Sequence, residues 1–401
     1  MNDSRAGIWS ALLAGFTLLV PSGVVSASDT GPITVGVLHS LTGTMAISER
    51  PLVDAARMAI DEINARGGIS GRLLVPVTED GASDPVMFAR KAEKLIVRDR
   101  VATLFGCWTS ASRKAVLPVV EKHNRLLWYP VQYEGCESSP NIIYTGAAPN
   151  QQIIPAVEWC LRHLGNKVFL VGSDYVFPRT ANKIIKAQLK KRGAACVGEE
   201  YRALGDSDFA AVVAKIRAAK PKVIFNTING SSNLAFFKAL RAAGIGPEEA
   251  RVMSVSLAEE ELCSLGPQLT EGHYCAWNYF QSIDTSANLR FVTAFQKRYR
   301  AERVTDDPIE AAYFQVHLFA RAVARAGSTD SAAVRKAARG LIFSAPEGLV
   351  RIDPRNQHTW KVARIGQINR KGQFKIVWSS EEPIRPEPYS ELLFPAGPPP
   401  R

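Results

Sequence analysis

The sequence lacks the short motifs that mark metal and cofactor chemistry. Its six histidines are dispersed and form no HExxH pair, and its six cysteines form no CxxC pair or zinc-spaced cluster. There is no GxxxxGKS/T phosphate loop, and Gly67, Gly68 and Gly71 do not open a dinucleotide fingerprint. These absences predict a chain that holds no metal and no cofactor.

Nucleophilic catalysis has little support either, since no GxSxG turn is present. Cys107 is the one candidate nucleophile, because some amidases use a cysteine with a glutamate and a lysine. It directly follows an apolar strand, where a buried and inert thiol is expected. We therefore expect no enzyme, with a cysteine amidase as the alternative. For an exported chain, Cys263 and Cys275 form the most plausible local disulfide.

Long apolar runs are missing everywhere except at the start. Residues 7–20 are almost uncharged and apolar, and small residues follow at Val25, Ser26 and Ala27. This pattern predicts a signal peptide over residues 1–27, cleaved after Ala27, and a periplasmic protein. An uncleaved membrane anchor is the alternative, but the run is short for one. No cysteine stands at the cleavage point, which argues against a lipid anchor.

The chain carries 49 basic and 38 acidic residues, a formal net charge of +11. A basic balance raises the question of nucleic acid or anionic partners. The basic residues are scattered over predicted helices, which favours solvated helix faces and no nucleic acid. A positive surface toward acidic lipid headgroups or a docking partner is the alternative.

Apolar strands alternate with amphipathic helices from Ile33 onward. Strands are predicted at 33–40, 73–79, 101–107 and 126–131, with helices at 52–66, 87–98 and 112–121 between them. The same rhythm restarts after Pro149, with strands at 168–172, 223–226 and 252–256. Such alternation predicts two parallel sheets covered by helices on both faces.

The expected organisation is an α/β protein of two lobes. The first lobe takes residues 28–148 and 277–345, and the second takes residues 149–276 and 346–393. Residues 276–281 are expected to form a crossover, and the Pro-rich end, 394–401, a flexible tail.

In open α/β sheets, ligands bind beyond the carboxyl ends of the strands. Six predicted loops lie there, three in each lobe, and each combines hydroxyl, amide or carboxylate groups with apolar or aromatic side chains. They read HSLTG at 39–43, GCWTS at 106–110, YPVQYE at 129–134, SDY at 173–175, NTING at 226–230 and SLAE at 256–259. This composition is typical of a cleft for a small polar solute.

Five runs around these loops carry a family resemblance. They are VLHSLTGTM at 37–45, FGCWTSASRK at 105–114, YPVQYEG at 129–135, GSDYVFPR at 172–179 and DDPIEAAY at 306–313. The chain resembles the type I periplasmic binding proteins over residues 33–388, specifically the branch with urea receptors and a short-chain amide sensor. The resemblance implies two Rossmann-like lobes joined by three hinge crossovers, and a non-catalytic receptor that serves the permease of an ABC importer.

Two departures from the amide sensor favour urea as the ligand. Trp108 stands where the sensor has tyrosine, and Val131-Gln132 replaces its Thr-Pro; both features resemble the urea receptors. A receptor or sensor for another short-chain amide, or for a branched-chain amino acid, is the alternative.

Urea is flat and neutral, with four N–H donors and one carbonyl acceptor, so its site needs acceptors, a few donors and apolar plates. Ser110 is expected to donate to the carbonyl, Asp174 and Asn229 to accept, and Trp108 and Tyr129 to cover the faces. The full set of candidate ligand-binding residues is Ser40, Trp108, Ser110, Tyr129, Gln132, Asp174, Tyr175, Phe177, Thr227 and Asn229.

Several neighbouring residues are expected to have local roles only. Arg113 and Lys114 are predicted on a helix face with a surface ion pair, and Glu259 as a helix cap or a solvated side chain. Asp306-Asp307-Pro308 is predicted to start a helix.

Overall fold

The computed structural model describes residues 31–397. The predicted signal peptide, residues 1–27, and the last four residues of the predicted tail, 398–401, lie outside the described residues. Within residues 31–397, no helix has both the length and the apolar composition needed to cross a membrane.

The first lobe begins with five parallel strands and three helices. They are β1 Ile33–His39, α1 Ala46–Ala65, β2 Leu74–Asp80, α2 Pro85–Val97, β3 Leu104–Gly106, α3 Ser110–Lys122, β4 Leu127–Tyr129 and β5 Ile142–Tyr144. The sheet order is β2-β1-β3-β4-β5. Alternate residues point to opposite faces, so Leu104 joins one apolar cluster and Phe105 the other. The sheet therefore has a core on each face, as the alternation of strands and helices predicts.

The second lobe repeats this plan. Its elements are α4 Ile153–His163, β6 Lys167–Ser173, α5 Val176–Lys191, β7 Ala195–Arg202, α6 Ala210–Ala219, β8 Val223–Thr227, α7 Ser232–Ala242, β9 Arg251–Ser254, α8 Glu259–Leu265, α9 Pro267–Thr270 and β10 Tyr274–Trp277. Val223 and Ile224 again point into different apolar clusters. Sequence periodicity missed β5, β7 and β10, each a short or half-polar strand.

The chain then returns to the first lobe. It forms α10 Ser286–Tyr299, α11 Asp307–Ala326 and α12 Ser331–Ala338, followed by a small antiparallel sheet of β11 Ile342–Ala345, β12 Gly348–Ile352 and β13 Thr359–Trp360. The Asp306 side chain caps α11 by accepting the Ile309 N–H at 3.0 Å, so the predicted helix start is confirmed.

Two antiparallel strands, β14 Arg364–Ile368 and β15 Phe374–Ser379, complete the second sheet in the order β15-β14-β10-β9-β8-β6-β7. The α/β fold class with two sheet-centred lobes is confirmed. The chain passes between the lobes three times, over residues 145–152, 278–285 and 361–363.

The third passage lies later than the sequence predicts. Pro346, which suggested a boundary after residue 345, stands instead in the turn of the β11–β12 hairpin. Ala345, Val350 and Ile352 of this hairpin pack into the core of the first lobe. The chain therefore joins the second sheet only at β14.

The cysteines do not pair as expected. All six are free, including Cys263 and Cys275. Cys263 is exposed on α8, whereas Cys275 is buried within β10, so the two side chains face different surroundings.

Candidate functional site

A narrow cavity lies between the lobes, beyond the carboxyl ends of β3, β4, β6 and β8. It is lined by Trp108, Ser110, Val131, Gln132, Tyr175, Phe177 and Asn229. Six of these seven are among the ten candidate residues. In this closed structure the lining side chains meet so closely that no room for a water molecule is left between them.

The backbone of the first lobe aims Trp108 and Ser110 at this cavity. At the end of β3, Gly106 runs so close to β1 that a Cβ there would lie 2.0 Å from the Leu38 carbonyl oxygen. Cys107 then takes a φ of +66° and donates its N–H to the same carbonyl at 3.0 Å. Thr109 caps α3 by accepting the Ser112 N–H. This turn leaves Trp108 and Ser110 at the head of the helix.

The hydroxyl of Ser110 faces the cavity as an acceptor and not as a donor. Its Oγ contacts the Glu134 carboxylate and receives an N–H from Arg113 at 2.9 Å. A serine hydroxyl has one proton, and a guanidinium cannot accept it, so the proton goes to Glu134. The expectation that Ser110 donates to a ligand carbonyl is therefore wrong.

A buried ion cluster stands behind this hydroxyl. Arg113 is fully buried and pairs with Glu134 at 3.2 Å and Glu137 at 2.8 Å, which corrects the predicted surface position. The rings of Tyr129 and Tyr133 flank its guanidinium at 5.0 and 4.7 Å.

Ion pairing within this cluster outweighs the cost of burying its charges. Burial alone would raise the pKa of Glu137, but Arg113 and Lys114 outweigh it and lower that pKa to about 2. Burial likewise opposes the charge on Arg113, yet Glu134 and Glu137 raise its pKa well above the usual value. Arg113 and Glu137 therefore stabilise each other's charged forms.

Gln132 reaches across the cleft. Its Nε2 donates to the Val255 carbonyl at 3.0 Å and to the Ser256 Oγ at 3.1 Å, both in the second lobe. Its Oε1 is buried and has no hydrogen-bond partner among the described residues. The cavity wall therefore contains one unused acceptor.

The second lobe supplies an amide and two rings. Asn229 is held by its N–H to Ser173 Oγ at 3.0 Å and by its Nδ2 to the Thr227 carbonyl at 3.2 Å. These bonds turn its Oδ1 toward Trp108, whose Nε1 makes a long contact at 3.5 Å. Tyr175 and Phe177, with ring centroids 6.4 Å apart, form the apolar wall.

Two first-lobe candidates lie outside the lining. Tyr129 is buried beneath it, and its hydroxyl donates to the Trp108 carbonyl at 2.5 Å. Ser40 is buried too, and its Oγ accepts the N–H of Ser83 at 3.0 Å. Both support the loops and do not line the cavity, because their hydroxyls are engaged by neighbouring backbone.

Two second-lobe candidates are also displaced. Asp174 is 48% exposed and pairs with Arg179 at 2.7 Å on the surface. Thr227 is buried, and its hydroxyl donates to the Val171 carbonyl at 3.2 Å inside the second lobe. Tyr175 and Asn229 line the cavity, whereas Asp174, the residue before Tyr175, and Thr227, two residues before Asn229, do not.

The lobes touch at the mouth of the cleft. Thr44 Oγ1 and Ser231 Oγ are 2.8 Å apart, and Ser48 bonds to Glu261. Gly230 has a φ of +64°, and a Cβ there would lie 2.9 Å from the Thr44 carbonyl oxygen. These contacts join the two lobes at the mouth of the cleft.

Cys107 and Glu259 lie outside the cavity lining. Cys107 is completely buried, and burial raises the pKa of its thiol, so it fits the predicted inert role. Glu259 is buried and not solvated, and its carboxylate accepts the Gln281 N–H at 2.7 Å.

A family model described as "Periplasmic binding protein domain" matches residues 33–394. The chain belongs to this family. It is therefore a non-catalytic, periplasmic solute-binding protein of the kind that serves ABC importers, with a small-molecule ligand and a permease as partners.

Individual relatives are more distant. "Leu/Ile/Val-binding protein homolog 6" of Brucella melitensis is 24% identical over 350 residues, which cover 85% of this chain and 88% of that protein. A stretch of 124 residues is 36% identical to "Limonene hydroxylase" of Geobacillus stearothermophilus, but it spans only 31% of this chain and 23% of that protein. The match is too short to assign the activity of that protein to this chain.

Solved structures agree on the fold. A solute-binding protein of an ABC transporter from Rhodopseudomonas palustris, in complex with 3,4-dihydroxybenzoic acid, superposes with a TM-score of 0.80 at 20% identity. The match covers 89% of this chain and 99% of that one.

Proposed function

We propose that this receptor captures a small neutral solute rich in N–H donors, urea above all, for import. The observation that carries the proposal is that the seven side chains lining the cavity, drawn from both lobes, are all uncharged. The receptor is proposed to be exported by cleavage of residues 1–27.

Three side-chain oxygens of the lining residues can act as acceptors. The Ser110 hydroxyl donates its hydrogen bond to the Glu134 carboxylate, Gln132 Oε1 has no partner among the described residues, and Asn229 Oδ1 has only the long contact with Trp108. The donors at the wall are fewer, namely the Trp108 indole and the Tyr175 hydroxyl. A solute with several N–H groups and one carbonyl complements this set.

The indole and phenyl rings complete the match to a flat molecule. Trp108 and Phe177 offer apolar faces, and both are almost fully buried. A solute methyl group placed against an acceptor would leave that acceptor unpaired, which costs about 1–3 kcal/mol. This is the physical basis on which urea would be preferred over acetamide.

A second candidate is a receptor for a branched-chain amino acid or an aromatic carboxylate. The observation that favours it is what the similar proteins bind: leucine, isoleucine and valine are named for the Brucella protein, and dihydroxybenzoate is bound in the superposed structure. A zwitterion or a carboxylate needs a counterion in its site. Among the described residues, the buried cation beside the cavity is Arg113, and it is already paired with two carboxylates.

Calorimetry on mature protein, unfolded and refolded to remove any bound solute, distinguishes the candidates. We expect saturable heat with urea, weaker binding of acetamide, and none with leucine or 3,4-dihydroxybenzoate. Binding of either larger ligand without a response to urea would establish the second candidate and refute the first.

A further inference from the structure

We infer that Gln132 couples filling of the cavity to closure of the lobes. The inference rests on the proposed function, because it needs a solute that donates an N–H. In the closed protein the amide group of Gln132 contacts the second lobe and also belongs to the lining of the cavity. Its Nε2 donates to two groups of the second lobe, and its Oε1 is buried without a partner among the described residues.

The orientation of this amide follows from its partners. The Val255 carbonyl can only accept, so the group that faces it at 3.0 Å must be the NH₂. The second N–H is directed at Ser256 Oγ, 3.1 Å away. Oε1 is thereby turned from the second lobe, and Gln132 is itself a lining residue that is only 3% exposed.

Closure without a solute therefore buries an acceptor that water satisfies in the open state. An unpaired buried acceptor disfavours the closed state by a factor of about 5 to 150. A solute N–H placed at Oε1 removes that penalty. The empty receptor is thus biased toward the open form, and a solute that lacks an N–H fills the space without relieving the bias.

Gln152 offers a matched control in the same neighbourhood. Its Nε2 donates to the same Val255 carbonyl at 3.2 Å and to the Ala276 carbonyl at 2.7 Å, and its Oε1 is also buried without a partner among the described residues. It belongs to the first passage between the lobes and does not line the cavity.

The test measures the closed fraction by small-angle X-ray scattering, with and without saturating urea, in the wild type, Gln132→Met and Gln152→Met. The quantity compared between proteins is the equilibrium constant for closure with urea divided by the equilibrium constant for closure without urea. Loss of the Nε2 bonds changes both equilibria alike, so their ratio isolates the role of Oε1. We expect a ratio about 5- to 150-fold lower in Gln132→Met, and a ratio within twofold of wild type in Gln152→Met.

The same comparison is available in the intact protein, which avoids any folding defect of a variant. Urea, acetamide and acetone share one shape and carry two, one and no NH₂ groups. At saturation we expect the closed fraction to fall in that order.

The outcomes separate the two claims. A wild-type ratio retained in Gln132→Met, or equal closure by acetone and urea, overturns the role of Gln132 and leaves the proposed function intact. A wild-type protein that binds and closes on no urea at all overturns both.

Discussion

The two walls of the cavity are built on different chemistry. On the first-lobe side, Ser110 is backed by charge-assisted bonds among Arg113, Glu134 and Glu137, all buried. On the second-lobe side, Asn229 is held by neutral bonds to Ser173 and to the Thr227 carbonyl. Charge-assisted bonds are roughly twice as strong as neutral ones, so the first wall is the more rigid template.

A second difference concerns ionisation. The carboxyls behind the first wall face a guanidinium, and the pKa of Glu137 falls to about 2. Glu259, at the start of α8 in the second lobe, has no basic partner among the described residues. Burial raises its pKa to about 8, and Asp307 and Glu261 add to the shift. The fold thus stabilises the ionised form of Glu137 behind the first wall, whereas it stabilises the protonated form of Glu259 at the edge of the second lobe.

The largest expected effect is that of Arg113→Met. The change leaves Glu134 and Glu137 buried without their cation, which costs about 3–5 kcal/mol in the free energy of unfolding. Lys114→Met is the matched control, because this lysine is 40% exposed and also pairs with Glu137; we expect a loss of at most about 1 kcal/mol. Urea denaturation is unsuitable for a urea receptor, so guanidinium chloride is the denaturant. Equal losses in the two variants would contradict the contrast between the walls.

The second prediction concerns pH and Glu259. The folded chain keeps this proton up to a pKa of about 8, whereas the unfolded chain releases it near 4.5, so unfolding releases a proton between these values. The free energy of unfolding therefore falls as pH rises from about 5 to 8, by at most about 1.4 kcal/mol per pH unit from this group. Glu259→Gln should flatten that slope in guanidinium titrations.

Glu137 is expected to change the free energy of unfolding with pH in the opposite direction to Glu259. It therefore serves as an internal check. Its pKa is lowered to about 2, so its contribution is complete above its ordinary value of 4.5 and is lost as pH falls toward 2. Glu259→Gln should leave this acid limb unchanged. A variant that retained the wild-type slope between pH 5 and 8 would remove Glu259 from the explanation.

The third prediction tests the cavity itself. Trp108→Ala removes a buried ring from the wall, and Ser110→Ala removes an acceptor; each should weaken urea binding at least tenfold, about 1.4 kcal/mol, without unfolding the protein. Asp174→Ala, on the exposed surface, should bind urea within twofold of wild type. Calorimetry measures all three. Unchanged affinity in both cavity variants would place the site elsewhere.

The sequence predicted much of the fold because strand and helix periods report which faces are buried. It also found the loops of the site, since the carboxyl ends of parallel strands must meet at one edge. It did not predict which residue of each loop lines the cavity, as Asp174 next to Tyr175 and Thr227 two residues before Asn229 illustrate. Nor did it place Arg113 inside, because the carboxylates that neutralise it lie more than twenty residues along the chain.

The smallest expected effect concerns the turn of the second wall at the mouth of the cleft. Gly230 and Gly244 both have positive φ, +64° and +71°, so alanine at either should cost about 1 kcal/mol of folding free energy. They differ in surroundings: a Cβ at Gly230 meets the Thr44 carbonyl oxygen of the first lobe at 2.9 Å, whereas nothing lies within 4 Å of one at Gly244.

Only Gly230→Ala should therefore hinder closure. Relief of the clash requires the lobes to part slightly, and about 1 kcal/mol of strain in the closed state corresponds to roughly fivefold weaker urea binding. Gly244→Ala should bind as wild type does. Because both variants carry the same backbone strain, a difference in affinity between them reports the contact between the lobes alone. Equal affinities would mean that the second wall yields at this turn, and that the rigid first wall sets the geometry of the closed cavity by itself.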